Sequence, residues 1–165
     1  MKRFFLYIAL ITTCLLSCSA PQNIAVTRTL VVSIIQSRDY VVEADYMSPM
    51  RSEGVRHLST SYSLTVHGDT LVSYLPYYGE AYGNMPYGGD AGLNFTAEIL
   101  EYNCSFDDKG TALIEIRVRN ENINYKYLTQ IFSNGSASIS VNSDNRQSIS
   151  FHGKLKTEGY DLKPQ

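Results

Sequence analysis

The chain of 165 residues lacks tryptophan, has only three cysteines and five prolines, and contains no apolar run of membrane-spanning length. Only 18% of its residues are charged, the formal net charge is −2, and Lys and Arg form no cluster. A chain without a basic segment lacks the electrostatic footprint of a nucleic-acid-binding protein, so no nucleic-acid partner is predicted. Because 44% of the residues are apolar, the sequence predicts one folded domain and excludes global disorder.

The N-terminus has the features of an export signal. Lys2 and Arg3 precede the apolar run Phe4–Leu16, whose thirteen residues are too few for a spanning helix of about 20. The run ends in Leu15-Leu16-Ser17-Cys18, which resembles the lipobox of bacterial lipoproteins, although Leu16 departs slightly from the usual small or β-branched residue. Residues 1–17 are therefore predicted to be a signal peptide, and residues 18–23 a tether acylated at Cys18. A buried N-terminal helix is the alternative, but it does not explain the two cations.

The predicted lipid also indicates a location and a first partner. Acyl chains on Cys18 would attach the folded part to a membrane, because each buried CH₂ contributes roughly 0.8 kcal/mol. No acidic pair follows Cys18, whereas such a pair resembles the surface-export signal of Bacteroidetes lipoproteins. We therefore expect a cell-envelope protein, anchored in the outer membrane and facing the periplasm.

The third cysteine, Cys104, is expected to remain a free thiol. Cys14 would be removed with the signal and Cys18 would be acylated, so the mature chain could form no internal disulfide. Tyr102 and Phe106 flank Cys104 at strand spacing, and this pattern favours a buried, inert thiol over a reactive one.

The hydrophobic patterning changes period once along the chain. Within residues 24–36 four apolar residues recur at helical spacing, which predicts an amphipathic helix with a long strand as the alternative: Leu30, Val31, Ile34 and Ile35. Seven or eight strands with alternating apolar residues follow, including a hairpin at His67–Thr70. Residues 24–165 are therefore predicted to form a single α+β, mainly β domain. We expect one antiparallel sheet, as an open barrel or sandwich-like, with an N-terminal helix.

The segment Ser73–Phe95 has an unusual composition. It holds five of the eleven glycines and five of the thirteen tyrosines, together with two prolines, which excludes a regular helix. Loops longer than about 12–15 residues are often functional, and tyrosine suits contact surfaces. We therefore expect a binding surface for an envelope protein or a glycan, made by Tyr77, Tyr78, Tyr82 and Tyr87. In the alternative interpretation, the same rings fold back and only cover the sheet.

Several stretches of the chain resemble one protein family. They are Tyr62-Ser63-Leu64, Gly68-Asp69, Ser73-Tyr74-Leu75-Pro76-Tyr77, Pro86-Tyr87-Gly88-Gly89, Gly92-Leu93-Asn94-Phe95, Asn134-Gly135 and Asn145-Arg146 with Ile149-Ser150-Phe151-His152-Gly153. This pattern resembles domain of unknown function family 4251, small secreted lipoproteins of Bacteroidetes. Glu80 and Asn84-Met85 depart from it. The resemblance implies an address and a fold, and it transfers no catalytic residue.

Motifs for catalysis and for metal binding are missing from the sequence. There is no nucleophile elbow and no phosphate-binding loop, and His57, His67 and His152 share no metal-ligand spacing. We therefore predict no catalytic residue, no metal site and no cofactor. An enzyme would need Ser, His and Asp to converge from distant strands, which leaves it as the third hypothesis after a binding module and a structural lipoprotein. Asp69-Thr70-Leu71 resembles a Bacteroidetes O-glycosylation site on Thr70, with an ordinary turn as the alternative.

Overall fold

The computed structural model describes residues 22–50, 54–78 and 92–159, and within these ranges it contains one helix and eight strands. The helix α1 spans Gln22–Gln36, and the strands are β1 (Asp39–Pro49), β2 (Arg56–His67), β3 (Thr70–Leu75), β4 (Leu93–Phe106), β5 (Ala112–Asn120), β6 (Ile123–Ile131), β7 (Ser136–Ser143) and β8 (Arg146–Leu155). Each strand pairs antiparallel with the next, and β8 pairs with β1, so the sheet is a closed barrel. The predicted mainly β domain with one N-terminal helix is confirmed. The sequence predicted an open barrel or a sandwich-like sheet. In the structure the sheet is fully closed, because β8 pairs with β1.

The barrel has two different ends. The helix end carries α1 and the turns β2–β3, β4–β5 and β6–β7, and the loop end carries the connections β1–β2, β3–β4, β5–β6 and β7–β8. The predicted hairpin at His67–Thr70 is the β2–β3 turn. The Tyr- and Gly-rich segment joins β3 to β4, so both of its ends lie at the loop end.

Alternation along the strands fills the barrel interior. In β5 and β7 the predicted inward residues are all buried, and they are Ile114, Ile116, Val118, Ala137, Ile139 and Val141. Polar side chains also lie inside, and two of them form a pair in which the Tyr127 hydroxyl donates a hydrogen bond to Ser73 Oγ at 3.0 Å. Burying these hydroxyls is tolerated because each satisfies the other.

The helix α1 covers the helix end. Val31, Ile34 and Ile35 are at most 2% exposed, which confirms the predicted apolar face, and α1 begins two residues before the predicted domain start. Arg38, at φ 54°, turns the chain into β1, and its carbonyl accepts a hydrogen bond from the Gly68 amide at 2.8 Å. Within the described ranges, no helix is long and apolar enough to cross a membrane.

The closing seam between β1 and β8 depends on a glycine. The register of β1 shifts between Ala44 and Tyr46 against both of its neighbours, which marks a bulge. A Cβ on Gly153 would overlap the carbonyl oxygen of Glu43 and lie 2.9 Å from the Ala44 Cα. The missing side chain therefore allows β1 and β8 to approach closely.

The strand β4 extends beyond its neighbour, and this corrects the prediction for Cys104. Pairing between β3 and β4 ends at Glu98, while β4 continues to Phe106 with β5 as its strand partner. Cys104 is therefore exposed, although its register opposite the buried Ile114 places it on the inward face. Partial burial raises the pKa of its thiol, so the neutral form is favoured.

Candidate binding surface at the loop end

Tyr77 is fixed across the loop end of the barrel. Its hydroxyl donates a hydrogen bond to the carbonyl oxygen of Gln147 at 3.1 Å, and its ring packs against the core. The Arg146 guanidinium carbon lies 4.9 Å from the centre of this ring, within cation–π distance. Tyr77 thus serves largely as cover for the core.

Arg146 joins the two ends of the Tyr- and Gly-rich segment. Besides stacking on Tyr77 near the start of the segment, it donates a hydrogen bond to the carbonyl oxygen of Gly92 near its end, at 3.4 Å. Arg146 begins β8, and Gly92 precedes β4, which is four strands away in the closed sheet. A single side chain therefore spans the barrel opening and holds both ends of the segment.

Tyr78 has a different environment from Tyr77. Its side chain is 55% exposed, and the Arg56 guanidinium carbon lies 5.2 Å from the centre of its ring. Arg56 is the first residue of β2, so an exposed aromatic face and a cation lie side by side at the barrel rim.

Further exposed side chains extend this area towards β1 and β2. Met50 and Val55, on the β1–β2 connection, are 71% and 61% exposed. In the adjoining strands the rings of Tyr46 and His57 contact edge to face, with their centres 5.1 Å apart. We define the loop-end surface as Tyr46, Met50, Val55, Arg56, His57 and Tyr78.

The strand register brings together two histidines that are far apart in sequence. Tyr46 is paired with His57 of β2 on one side and with His152 of β8 on the other. The third histidine, His67, lies at the helix end, where its Nδ1 is 3.0 Å from Asp39 Oδ1. Among the described residues, no group of three or more His, Cys, Asp or Glu could hold a metal ion.

Two acidic residues of the described chain, Asp107 and Glu43, have local partners. Asp107 Oδ1 accepts hydrogen bonds from the amides of Thr111 at 2.7 Å and Lys109 at 2.9 Å, and these bonds lower the pKa of its carboxyl. The exposed Glu43 carboxylate oxygen Oε1 lies 3.8 Å from Lys156 Nζ. Asp107 therefore shapes the β4–β5 turn, and Glu43 forms a surface ion pair.

The structure brings together only part of the predicted site. Tyr77 and Tyr78 lie at the loop end, whereas Tyr82, Tyr87 and Cys18 lie outside the described residues. Half-buried Thr70 begins β3 at the opposite, helix end, so it belongs to no common site with the tyrosines.

Sequence reasoning missed Arg56 and Arg146. Both residues begin a strand, and their aromatic partners are 22 and 69 residues away along the chain, so no local pattern links them. Arg146 does fall within one of the family-like stretches, and this was the one available signal.

The comparisons with known proteins agree with this description of the chain. The model of the family "Domain of unknown function (DUF4251)" matches residues 23–155, which run from α1 to the end of β8. The crystal structure of a DUF4251 family protein from Bacteroides eggerthii is similar in fold, with a TM-score of 0.59 and 15% sequence identity over 79% of this chain and 87% of that one. No curated protein matches the chain.

Proposed function

This chain belongs to the DUF4251 family, and we propose that it is a non-catalytic binding module of the cell envelope. The proposed module is held to a membrane by acyl chains on Cys18 and contacts an envelope protein or a glycan through its loop-end surface. The observation that carries the proposal is the exposed Tyr78 ring beside the Arg56 guanidinium.

The composition of the loop-end surface supports this role. Tyr, Met and Arg are enriched at protein interfaces, where an aromatic ring supplies a large contact area at low entropic cost. The surface combines two exposed tyrosines and an exposed methionine with one arginine. An aromatic face beside a guanidinium suits both a protein side chain and the stacked face of a sugar ring.

The contacts below the surface support a preformed site. Tyr77 is held by Gln147 and Arg146, and Arg146 also holds Gly92 at the other end of the segment. Groups fixed before binding lose less conformational entropy when a partner arrives. Tyr77 and Arg146 are therefore positioning residues, while Tyr78 and Arg56 are the proposed contact residues.

A structural envelope lipoprotein is the second candidate function. It is favoured by Tyr77, which packs against the core as the cover interpretation expects. The two functions differ in what they require of Tyr78, because an exposed ring contributes little to a purely structural role.

The experiment is cross-linked affinity capture on native envelopes with the protein purified from its own cells. The intact mass is recorded first, because it reports both acylation of Cys18 and any glycan on Thr70. Wild type is then compared with Tyr78→Ser and Arg56→Gln. We expect each variant to capture at least tenfold less partner than wild type, and its melting temperature to stay within a few degrees of the wild-type value.

Leu100→Ser is the matched control, since Leu100 is 65% exposed on β4, away from the loop-end surface. It should capture as much partner as wild type. Equal capture by all four proteins would reject the loop-end surface, and no capture by any of them would favour the structural lipoprotein. Tyr77 is left unchanged, because its replacement would disturb the core as well as the surface.

A further inference from the structure

The outer face of β5 and β6 changes character along its length. Towards the loop end it is charged, and the carboxylate of Glu115 forms ion pairs with the Arg117 guanidinium and with Lys126 Nζ, at 2.9 Å each. Towards the helix end three apolar side chains are about two-fifths exposed: Leu113 of β5, Leu128 of β6, and Phe132 directly after β6. We name these three residues the apolar wall.

The strand register makes the apolar wall continuous. Leu113 of β5 is paired with Gln130 of β6, and Leu128 and Phe132 are the residues two positions to either side of Gln130. Diagonal neighbours in a sheet lie about 7–8 Å apart, within reach of long side chains. A groove of about 450 Å³ beside Leu113 and Leu128 runs towards β4 and is lined there by Asn103 and Ser105.

The proposed anchor precedes α1, which covers the helix end of the barrel, and the apolar wall lies towards the same end. Three residues lie between Cys18 and Gln22, so an extended chain of four residue steps spans at most about 14 Å between them. Within α1, the Arg28 guanidinium donates a hydrogen bond to the Asp108 carbonyl oxygen at 3.2 Å. Asp108 lies in the β4–β5 turn, which leads directly into the strand that carries Leu113. The N-terminal half of α1 is therefore fixed beside the turn that leads into β5 and the apolar wall.

We infer that the apolar wall rests on the lipid bilayer, with Leu113, Leu128 and Phe132 at the boundary between headgroups and acyl chains. This inference rests on the proposed acylation of Cys18, which would hold the wall near the membrane and raise its effective concentration there. The charged half of the same face stays in water, which tilts the loop end away from the bilayer.

The absence of tryptophan makes the inference directly measurable. Leu113→Trp places a single indole in the apolar wall, and Val72→Trp places one on β3, where Val72 is similarly exposed at 38%. Each acylated variant is reconstituted in vesicles of phosphatidylethanolamine and phosphatidylglycerol that contain brominated lipid. We expect at least twofold quenching and a blue shift for the indole at position 113, and neither change at position 72. Equal fluorescence changes at both positions, or none at either, would overturn the inference.

A second pair of variants separates contact from folding. In a Phe132→Trp protein, adding Leu113→Glu with Leu128→Glu should abolish quenching, whereas adding Val72→Glu should leave it unchanged. Circular dichroism of each protein confirms the fold, and persistent quenching in the folded double-Glu variant would contradict the inference.

The intact mass distinguishes a failed anchor from a failed wall. If Cys18 carries no acyl chain, the anchoring part of the proposed function is wrong. The wall is then tested in residues 18–165 with Cys104→Ser, after Cys18 is coupled to a maleimide-bearing lipid. Quenching at position 113 alone would still support the wall, and its absence would reject it.

Discussion

At the scale of single residues, the interior hydroxyl pair shows how a polar contact becomes tolerable in a barrel core. Tyr127 and Ser73 are at most 2% exposed, and each is the hydrogen-bond partner of the other. Removing one partner leaves the other buried and unpaired, which costs about 1–3 kcal/mol, whereas removing both can be nearly neutral.

We therefore predict that Tyr127→Phe lowers the free energy of unfolding by about 1–3 kcal/mol. Combining it with Ser73→Ala should restore part of this loss, because no hydroxyl is then left without a partner. Urea unfolding of wild type, both single variants and the double variant measures the coupling. Strictly additive losses would show that the two hydroxyls are not coupled.

The exposure of single residues was the least predictable property. The alternation in β5 and β7 predicted the inward residues correctly, because a strand with one buried face has apolar residues at every second position. The same reasoning failed for Cys104, which follows the inward register yet is exposed. The strand β3 begins at Thr70, opposite Glu98, so it does not extend along the part of β4 that carries Cys104. Whether such a residue is buried depends on the lengths of the neighbouring strands, and the sequence around one strand does not show these lengths.

At the scale of elements, the seam between β1 and β8 closes the sheet. The two strands come from opposite ends of the chain, so local patterning predicted each strand but not their pairing. The bulge at Asp45 shifts the alternation of β1, so that Tyr46 faces outwards and Met47 inwards. This shift places Tyr46 on the loop-end surface.

We predict that Gly153→Ala destabilises the protein by about 3 kcal/mol or more, because the new methyl group would overlap the backbone of β1. The control is Gly68→Ala in the β2–β3 turn. There a Cβ meets open space, and the cost is about 1–2 kcal/mol of backbone strain at φ +57°. Urea midpoints measure both changes, and a Gly153→Ala protein no less stable than the control would contradict the close approach.

At the scale of the whole molecule, the two ends of the barrel have separate tasks in the proposals. The helix end carries α1 and the apolar wall, and the loop end carries Tyr78 and Arg56. The helix and its apolar face were predictable from the sequence, because the spacing of apolar residues within one amphipathic helix shows which side is buried. The loop-end surface was predictable only through Tyr78, since Arg56 and Tyr46 lie on other strands and are brought beside it only by the tertiary fold.

The interior tyrosines also make the stability of the whole barrel depend on alkaline pH. Burial raises the pKa of Tyr127 and of Tyr40, and Tyr40 also shares a hydrogen bond with Tyr102 at 3.3 Å. In the unfolded chain these phenols titrate near pH 10. Above that pH the unfolded state therefore binds fewer protons than the folded state, and stability falls as pH rises, while below it the stabilising difference is fully present.

We accordingly predict that the melting temperature of wild type falls steeply between pH 9 and about pH 11.5. The double variant Tyr127→Phe with Ser73→Ala should fall less steeply, because it lacks one of the phenols with a raised pKa. Lysine deprotonation acts on both proteins alike, so the difference between the two slopes isolates Tyr127. Tyrosinate absorbance in folded wild type should also rise at a higher pH than in urea. Parallel slopes would show that Tyr127 titrates in the folded protein as it does in the unfolded chain, and that the barrel interior admits water.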